Sequence, residues 1–344
     1  MRYGKKEFLM VLSESKKKHL LSVESKLRNW EFPPQIIIES TSVCNQKCIH
    51  CNHRIMERTK EHMDPNLFKK IVDEIAEVAP NTEIWPTFYG EATTLRDTLY
   101  ELLRYGRDKG LTNMVLNSNG RLLGRHDWID QILHSGLKRF ILSLDGFTKE
   151  TFNKVRVGGD RDKIYASVER LIQRKEELGL EYPIIQCQFS IMEENKHEVE
   201  DFIRYWEERG AEVKTRNMLS WGNVGDVVAS NLDYQSEFRI ACPWGNNTMA
   251  IHENGNVVTC AVDYEGKHIV GNVKDYSLRE LWRMHNEQVR KFHKEHRWNE
   301  IPEICKTCPD WQAVGADYHE NENVEVKKEA RPFWWKEKDV VETH

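Results

Sequence analysis

What this chain of 344 residues lacks narrows its nature before any motif is considered. Its apolar runs reach only a few residues, whereas a bilayer-spanning helix needs about 20. The lysine-rich start, residues 1–18, is not followed by an apolar stretch and small residues, so no secretory signal is expected there. Neither charge dominates, since 50 Lys+Arg stand against 55 Asp+Glu, a formal net charge of −5. That balance argues against a nucleic-acid partner, which would call for a basic field. Core-forming residues are not in short supply either, at 39% hydrophobic and 10% aromatic, so disorder does not describe the whole chain. The expectation is a cytoplasmic protein of about two domains, with no membrane partner.

Cysteine, in contrast, is present in a pattern. The eight are Cys44, Cys48, Cys51, Cys187, Cys242, Cys260, Cys305 and Cys308: three early, four late and one alone. In a cytosolic chain such grouping points to metal or catalysis more than to disulfides.

Between these groups the sequence repeats one sentence, a strand followed by a helix. The β-branched run 34–40 reads as a buried strand. Asp64-Pro65 then supplies an N-cap and a first-turn proline for a helix on Leu67, Phe68, Ile71, Val72 and Ile75. Further strands are expected at 83–89, 113–117, 140–144, 183–192 and 212–218, with amphipathic stretches between them. Six such strands predict an α/β fold with a parallel sheet, open or curled into a partial barrel, whose reactive end gathers at the strand C-termini. From about Asn231 the pattern changes to short β-like pieces and a helix around Leu278–His285, a small α+β unit. The expected domains are an N-terminal helical extension, 1–33, and a barrel, 34–230. A small unit, 231–316, and a charged tail, 317–344, holding Pro332-Phe333-Trp334-Trp335, complete the chain.

Cys44-x3-Cys48-x2-Cys51 follows the first strand directly. Three thiolates on one short loop can hold three corners of a [4Fe-4S] cluster and leave one iron open to a substrate. The competing reading is a structural zinc site, with His50 or His53 as a fourth ligand. Late in the chain, Cys242, Cys260, Cys305 and Cys308 are separated by 17, 44 and 2 residues, with Gly255 following Cys242 after twelve intervening residues. Four thiolates suffice to saturate a second cluster or to close a zinc site.

On these residues the chain resembles the radical S-adenosylmethionine (radical SAM) enzymes over about residues 34–311. The resemblance implies a partial (β/α)6 TIM-like barrel, followed by a SPASM-type auxiliary-cluster unit in its shortened "twitch" form, since no cysteine follows Cys308. It implies two [4Fe-4S] clusters, one binding S-adenosylmethionine through the early trio and one auxiliary on the four late cysteines. Reductive cleavage would give a 5'-deoxyadenosyl radical that abstracts a substrate hydrogen. Tyr89-Gly90-Glu91-Ala92 resembles the family's Gly-Gly-Glu-Pro stretch, with Tyr89 and Ala92 as departures, and places Gly90 and Glu91 at the methionyl amino group. Ser118-Asn119-Gly120 is similar to the family's Thr-Asn-Gly turn. Ser143, Asp145 and Arg156 fall where the family puts ribose and carboxylate contacts, and His50 stands where an aromatic residue is common.

Two further residues are catalytic candidates. Cys187 lies in a strand that sends alternate side chains to opposite faces. Facing the chamber, it could return a hydrogen atom and make the enzyme an epimerase; facing outward, it would leave dehydrogenation. Asp263, three residues beyond Cys260, is the candidate proton handler, with Glu193 and Glu194 behind it. The leading expectation is a radical SAM oxidoreductase or epimerase acting on a carbohydrate, cyclitol or similar small polar molecule, served by a reductant such as flavodoxin or ferredoxin. Maturation of a ribosomally made peptide is the alternative within the class, although only about 33 residues precede the first strand, few for a leader-binding domain. A zinc-binding, non-catalytic protein is the alternative outside it.

Overall fold

The alternation of β-branched and amphipathic stretches folds as alternating strands and helices in a computed structural model that describes residues 12, 14–125, 127–221 and 238–312. The expected domain limit near residue 230 and the tail with Pro332–Trp335 lie outside the described residues. Helix α1 (Glu14–Glu24) precedes strand β1 (Gln35–Ile38) and helix α2 (Pro65–Val78). Then come β2 (Glu83–Trp85), α3 (Asp97–Asp108), β3 (Val115–Ser118), α4 (Trp128–Leu133) and β4 (Arg139–Ser143). Helices α5 (Lys149–Val155) and α6 (Arg161–Glu177), strand β5 (Ile184–Ile191), α7 (Val199–Glu207) and β6 (Glu212–Asn217) complete the barrel. The start of α2 is set as its sequence implies: Pro65 opens it, and the Asp64 carboxylate accepts from the Asn66 amide at 2.8 Å.

All six strands run parallel. Strands β3 to β6 pair in sequence order, β2 pairs with β1, and a single bridge from Ile84 to Met114 joins the two sets. The sheet is thus the expected TIM-like partial barrel. Strand β2 stops at Trp85, short of the expected residue 89, because Pro86 has no amide with which to continue the ladder. A short helix that the sequence reading did not separate, α5, stands between β4 and α6.

The late segment begins with α8 (Pro243–Asn247) and β7 (Thr248–Ile251), then β8 (Asn256–Val258), β9 (Ile269–Asn272) and α9 (Leu278–His285). Its first strand does not stand apart from the barrel. Strand β7 pairs in parallel with β1, from Gln35 opposite Thr248 to Ile38 opposite Ile251, and β8 and β9 add antiparallel strands beyond it. The auxiliary segment therefore extends the barrel sheet past its first strand.

The pleat sorts side chains by chemistry. Ile36, Ile38, Ile84, Leu116, Phe140, Leu142, Cys187 and Phe189 join the helices in one apolar core. The opposite face is polar: Thr248 donates to Gln35 at 2.7 Å, Gln35 to Glu83 at 2.7 Å, Ser143 to Asn117 at 2.8 Å and Gln188 to Ser143 at 3.3 Å. Such buried polar rows are stable when each group finds a partner.

Candidate active site

The loop with Cys44, Cys48 and Cys51 leaves β1 and is clamped from three sides. Amides of Lys47 and Ile49 donate to the carbonyls of Val157 and Val155, a strand-like pairing with the end of α5, at 2.8 and 3.0 Å. The Glu91 amide donates to Val43 at 2.9 Å. Gly90 makes that approach possible, because a Cβ there would lie 2.0 Å from the Thr41 carbonyl oxygen. On the third side Asn119 donates to the Asn45 side chain at 2.8 Å, and its own amide donates to Glu91 at 2.7 Å.

Glu91 is buried and largely occupied. One oxygen accepts from the Thr93 amide (3.2 Å), the Thr93 hydroxyl (2.6 Å) and Ser118 (2.8 Å), and the other from Asn119. A carboxylate has about four acceptor positions, divided between its two oxygens. The oxygen facing Asn119 keeps room for one more donor, such as an ammonium group. Asp145, at φ 53°, is fully buried at the end of β4. It accepts from the Ser190 amide at 2.6 Å, pairs with Arg156 and lies 3.4 Å from His50. Burial alone would raise its carboxyl, but the charge of Arg156, His50 and the Ser190 amide hold it below the ordinary value. Arg156 also reaches Cys48 Sγ at 3.6 Å, and its Nε is buried without a partner, as is His50 Nδ1. Ser143 sits in the polar row with Asn117 and Gln188. Glu91, Asn119, Ser143, Asp145 and Arg156 thus gather at one end of the barrel around the cysteine loop.

All eight cysteines are free thiols. Burial first, then the charges of Glu91 and the neighbouring thiols, pushes Cys44 up to about 12; burial and Cys48 push Cys51 to about 11. Burial likewise raises Cys48 and all four late cysteines, and Cys242, Cys260, Cys305 and Cys308 perturb one another. Thiols so placed ionise only against a strong local positive charge, which a metal centre supplies. The spacing of the donors bears on which centre fits. Tetrahedral zinc with Zn–S near 2.3 Å draws its sulfurs to about 3.8 Å. Among the described residues, the one group of three donor atoms within 4.8 Å of one another is Glu39, His252 and Glu253, not either cysteine set. The wider cysteine sets suit a multi-iron cluster. The histidines offered for zinc are turned elsewhere: His53 Nε2 meets the Ser42 carbonyl at 2.9 Å, and His50 Nε2 faces Asp145.

Both catalytic candidates are buried. Cys187 is on the helix-facing side of β5, opposite Leu142 and Val213 and close to Tyr165 of α6; it is fully buried in the apolar core. Gln188, not Cys187, points to the polar interior. Of the two orientations left open for Cys187, the strand takes the helix-facing one, since core packing on α6 and α7 fixes its face. Asp263 is also buried, with its oxygens taken by the amides of Lys267 (2.8 Å) and His268 (3.0 Å). It shapes the turn after Cys260, each of its oxygens accepting one backbone amide. Glu193 is exposed and pairs with Lys196 at 2.8 Å, and Glu194 keeps one buried oxygen without a partner.

Other residues that join the site carried weaker signals. Arg58 pairs with Glu39 at 2.5 Å and with Glu253, and donates to the Tyr264 carbonyl at 2.6 Å. It ties the segment after Cys51 to the auxiliary segment. Tyr89, a departure from the family's glycine, donates to the Ala261 carbonyl at 3.3 Å and packs with Cys51, Met56, Tyr264 and Trp221. Glu39, a charge ending an apolar strand run, was the available hint.

Comparison with known proteins agrees with this architecture. The model of the radical SAM superfamily matches residues 38–205, and that of SPASM, an iron-sulfur cluster-binding domain, matches residues 242–309. Residues 38–205 are thus a radical SAM domain and residues 242–309 a SPASM domain, which imply a [4Fe-4S] cluster that binds S-adenosylmethionine and an auxiliary iron-sulfur cluster beside it. The chain is similar to the Fe-coproporphyrin III synthase of Methanosarcina barkeri (strain Fusaro / DSM 804), 29% identical over 57% of this chain and 47% of that protein, less than half of its length. It is also similar to the S-adenosyl-L-methionine-dependent 2-deoxy-scyllo-inosamine dehydrogenase of Niallia circulans, 22% identical over 79% of this chain and 91% of that one. Among solved structures, Streptococcus suis SuiB bound to precursor peptide SuiA superposes with a TM-score of 0.62 at 12% identity, over 92% of this chain and 80% of SuiB. BtrN in complex with AdoMet and 2-DOIA gives 0.57 at 18% identity, over 80% and 92%. These superpositions show the shared fold. Among the described residues, no helix is long and apolar enough to cross a membrane.

Proposed function

We propose that this radical SAM enzyme dehydrogenates a C–H bond next to a hydroxyl or amino group in a small polar molecule such as a cyclitol or carbohydrate. The observation that carries this over epimerisation is the outward position of Cys187, which leaves no thiol on the polar face of β5 to return a hydrogen atom.

In this reading Cys44, Cys48 and Cys51 would hold the first [4Fe-4S] cluster, and Cys242, Cys260, Cys305 and Cys308 would hold the auxiliary one, which would take up the second electron as the substrate radical releases a proton to water and becomes a carbonyl or imine. When bound and reduced, the first cluster supplies the electron that splits S-adenosylmethionine into methionine and a 5'-deoxyadenosyl radical. The chain's own residues position the reactants. The open oxygen of Glu91 accepts from the methionyl ammonium, and the Gly90 backbone holds that carboxylate beside the cysteine loop. The buried Nε of Arg156 offers a donor to the methionyl carboxylate, while Asp145 keeps the guanidinium oriented. Asn119, Ser143 and Gln188 present a polar wall to ribose and substrate. The similarity to the Niallia circulans dehydrogenase over most of both chains supports the substrate class.

The test is anaerobic turnover with S-adenosylmethionine, dithionite and a panel of deuterated cyclitols and sugars. Deuterium should appear in 5'-deoxyadenosine, with a carbonyl product. The Cys187→Ala variant should give the same product at a similar rate. Epimer formation that disappears in this variant would overturn the dehydrogenase reading, and zinc in place of iron in the purified protein would remove the radical chemistry altogether.

A further inference from the structure

A cleft of about 650 Å³ opens beside the cysteine loop, lined by Asn45, Thr94, Arg96, Arg121, Leu122, Arg125 and Lys163. Four of these seven side chains are cations and none is an acid, in a chain whose formal net charge is −5. Composition alone would not place them together. They come from the segments that follow β2 and β3 and from the first turn of α6, so the fold collects them on one rim. All four cations are exposed. Arg96 and Arg125 have no ion-pair partner among the described residues, whereas Lys163 lies 3.2 Å from Asp160 and Arg121 donates to the Asn45 carbonyl. Arg96 further adopts φ 57°, ψ −129°, a conformation that favours glycine, so a long cationic side chain is kept there against backbone preference.

The place of this rim is informative. Asn45 directly follows Cys44, their Cα atoms about 3.8 Å apart, so the wall of the cleft adjoins the loop that carries the early trio. The radical chemistry consumes one electron that the protein cannot itself provide. A small phosphate ligand would call for donors buried around it. Exposed cations spread along a rim instead suit a broad acidic surface, where charge complementarity steers and orients the encounter.

We propose that this cleft is the docking surface for an acidic one-electron carrier protein, of the flavodoxin or ferredoxin type, that reduces the cluster on Cys44, Cys48 and Cys51. The inference rests on the reading given under Proposed function. The balance is simple: one electron leaves the carrier's reduced flavin or iron-sulfur group, the carrier is oxidised by one, and the enzyme's cluster is reduced by one. No proton or group is transferred.

The experiment compares the holoenzyme with its Arg96→Glu/Arg125→Glu variant, neither residue touching the cysteines or the adenosylmethionine site. Titration with oxidised flavodoxin reads binding without turnover. The expected result is binding that weakens steeply with salt in the wild type and is ~10-fold or more weaker in the variant. The yield of 5'-deoxyadenosine should fall in the variant with flavodoxin as reductant and stay at the wild-type level with dithionite. Equal flavodoxin binding by both proteins would overturn the proposal. So would inorganic phosphate raising the melting temperature of the wild type alone while flavodoxin binding is unaltered, since the cleft would then be a small-anion site. If dithionite yields no 5'-deoxyadenosine even from the wild type, it is the radical reading that fails. Intact dithionite turnover with unaltered flavodoxin binding rejects the docking surface alone.

Discussion

At the residue scale, the most demanding position is Gly90. It has ordinary backbone angles, and its need for glycine comes from contact: the Thr41 carbonyl occupies the space a methyl group would take. Gly90→Ala must therefore push the segment that follows β2 off the cysteine loop and break the Glu91–Val43 bond. After anaerobic reconstitution, iron and sulfide in this variant should fall to roughly half the wild-type content, the auxiliary set being untouched; full iron would show that the loop does not need this clamp. The sequence pointed to Gly90 and Glu91 through a motif, but a motif carries no information on why glycine is required. Asp263 shows the reverse. Its neighbourhood to Cys260 suggested proton transfer, yet its carboxylate holds the amides of Lys267 and His268. One-dimensional spacing finds residues near a metal site; it does not say which of their atoms remain free.

At the element scale, helices were easier to read than faces. The N-cap of α2 was visible as Asp64-Pro65, and α9 carries a full capping box, in which Ser277 accepts from the Glu280 amide at 3.2 Å and the Glu280 carboxylate accepts from Ser277 at 2.9 Å. Ser277→Ala should destabilise the protein by about 1 kcal/mol, read from the denaturant midpoint of the holoprotein; an unchanged midpoint would mean that contacts of Leu278, Leu281 and Trp282 hold α9 without its cap. Strand β5 was harder. Ile185-Gln186-Cys187-Gln188-Phe189 alternates cleanly, but alternation leaves open which set faces the helices. Phe189 packing against Phe202 of α7, with ring centroids 4.8 Å apart and the planes tilted by 60°, fixes that choice and carries Cys187 outward with it.

At the scale of the whole molecule, the pairing of β7 with β1 makes the auxiliary segment part of the barrel's sheet, and Arg58 and Tyr89 bridge the two cysteine regions. Two histidines of the auxiliary segment give the assembly an acid limit. Burial holds His285 and His293 at about 3, against 6.5 for the free ring. Both are neutral in the folded chain and accept protons only when it unfolds. Their contribution is thus complete above about pH 6.5 and declines as pH falls toward 3. Between about pH 7.5 and 5.5 the loss amounts to about 1.4 kcal/mol for each histidine. His293→Phe, which keeps the contact with Trp298, should remove one histidine's share, about 1.4 kcal/mol, of the loss between about pH 7.5 and 5.5 in equilibrium unfolding; an unchanged slope would assign the acid sensitivity to other groups, His50 and His252 among them.

By itself the sequence determined what is local: the six strands with the helices between them, the loop carrying the early trio, and a second set of four thiols. Hydrophobic period, caps and thiol spacing are properties of neighbouring residues, and they survive without knowledge of the fold. Only the tertiary structure decided what depends on distant partners. The inward face of β5 was set by packing on the helices, and the joining of the late segment to β1 by hydrogen bonds between residues more than two hundred positions apart. The cationic rim was likewise assembled from separate loops. Each of these follows from where the chain folds back on itself, and that is written in no single stretch of it.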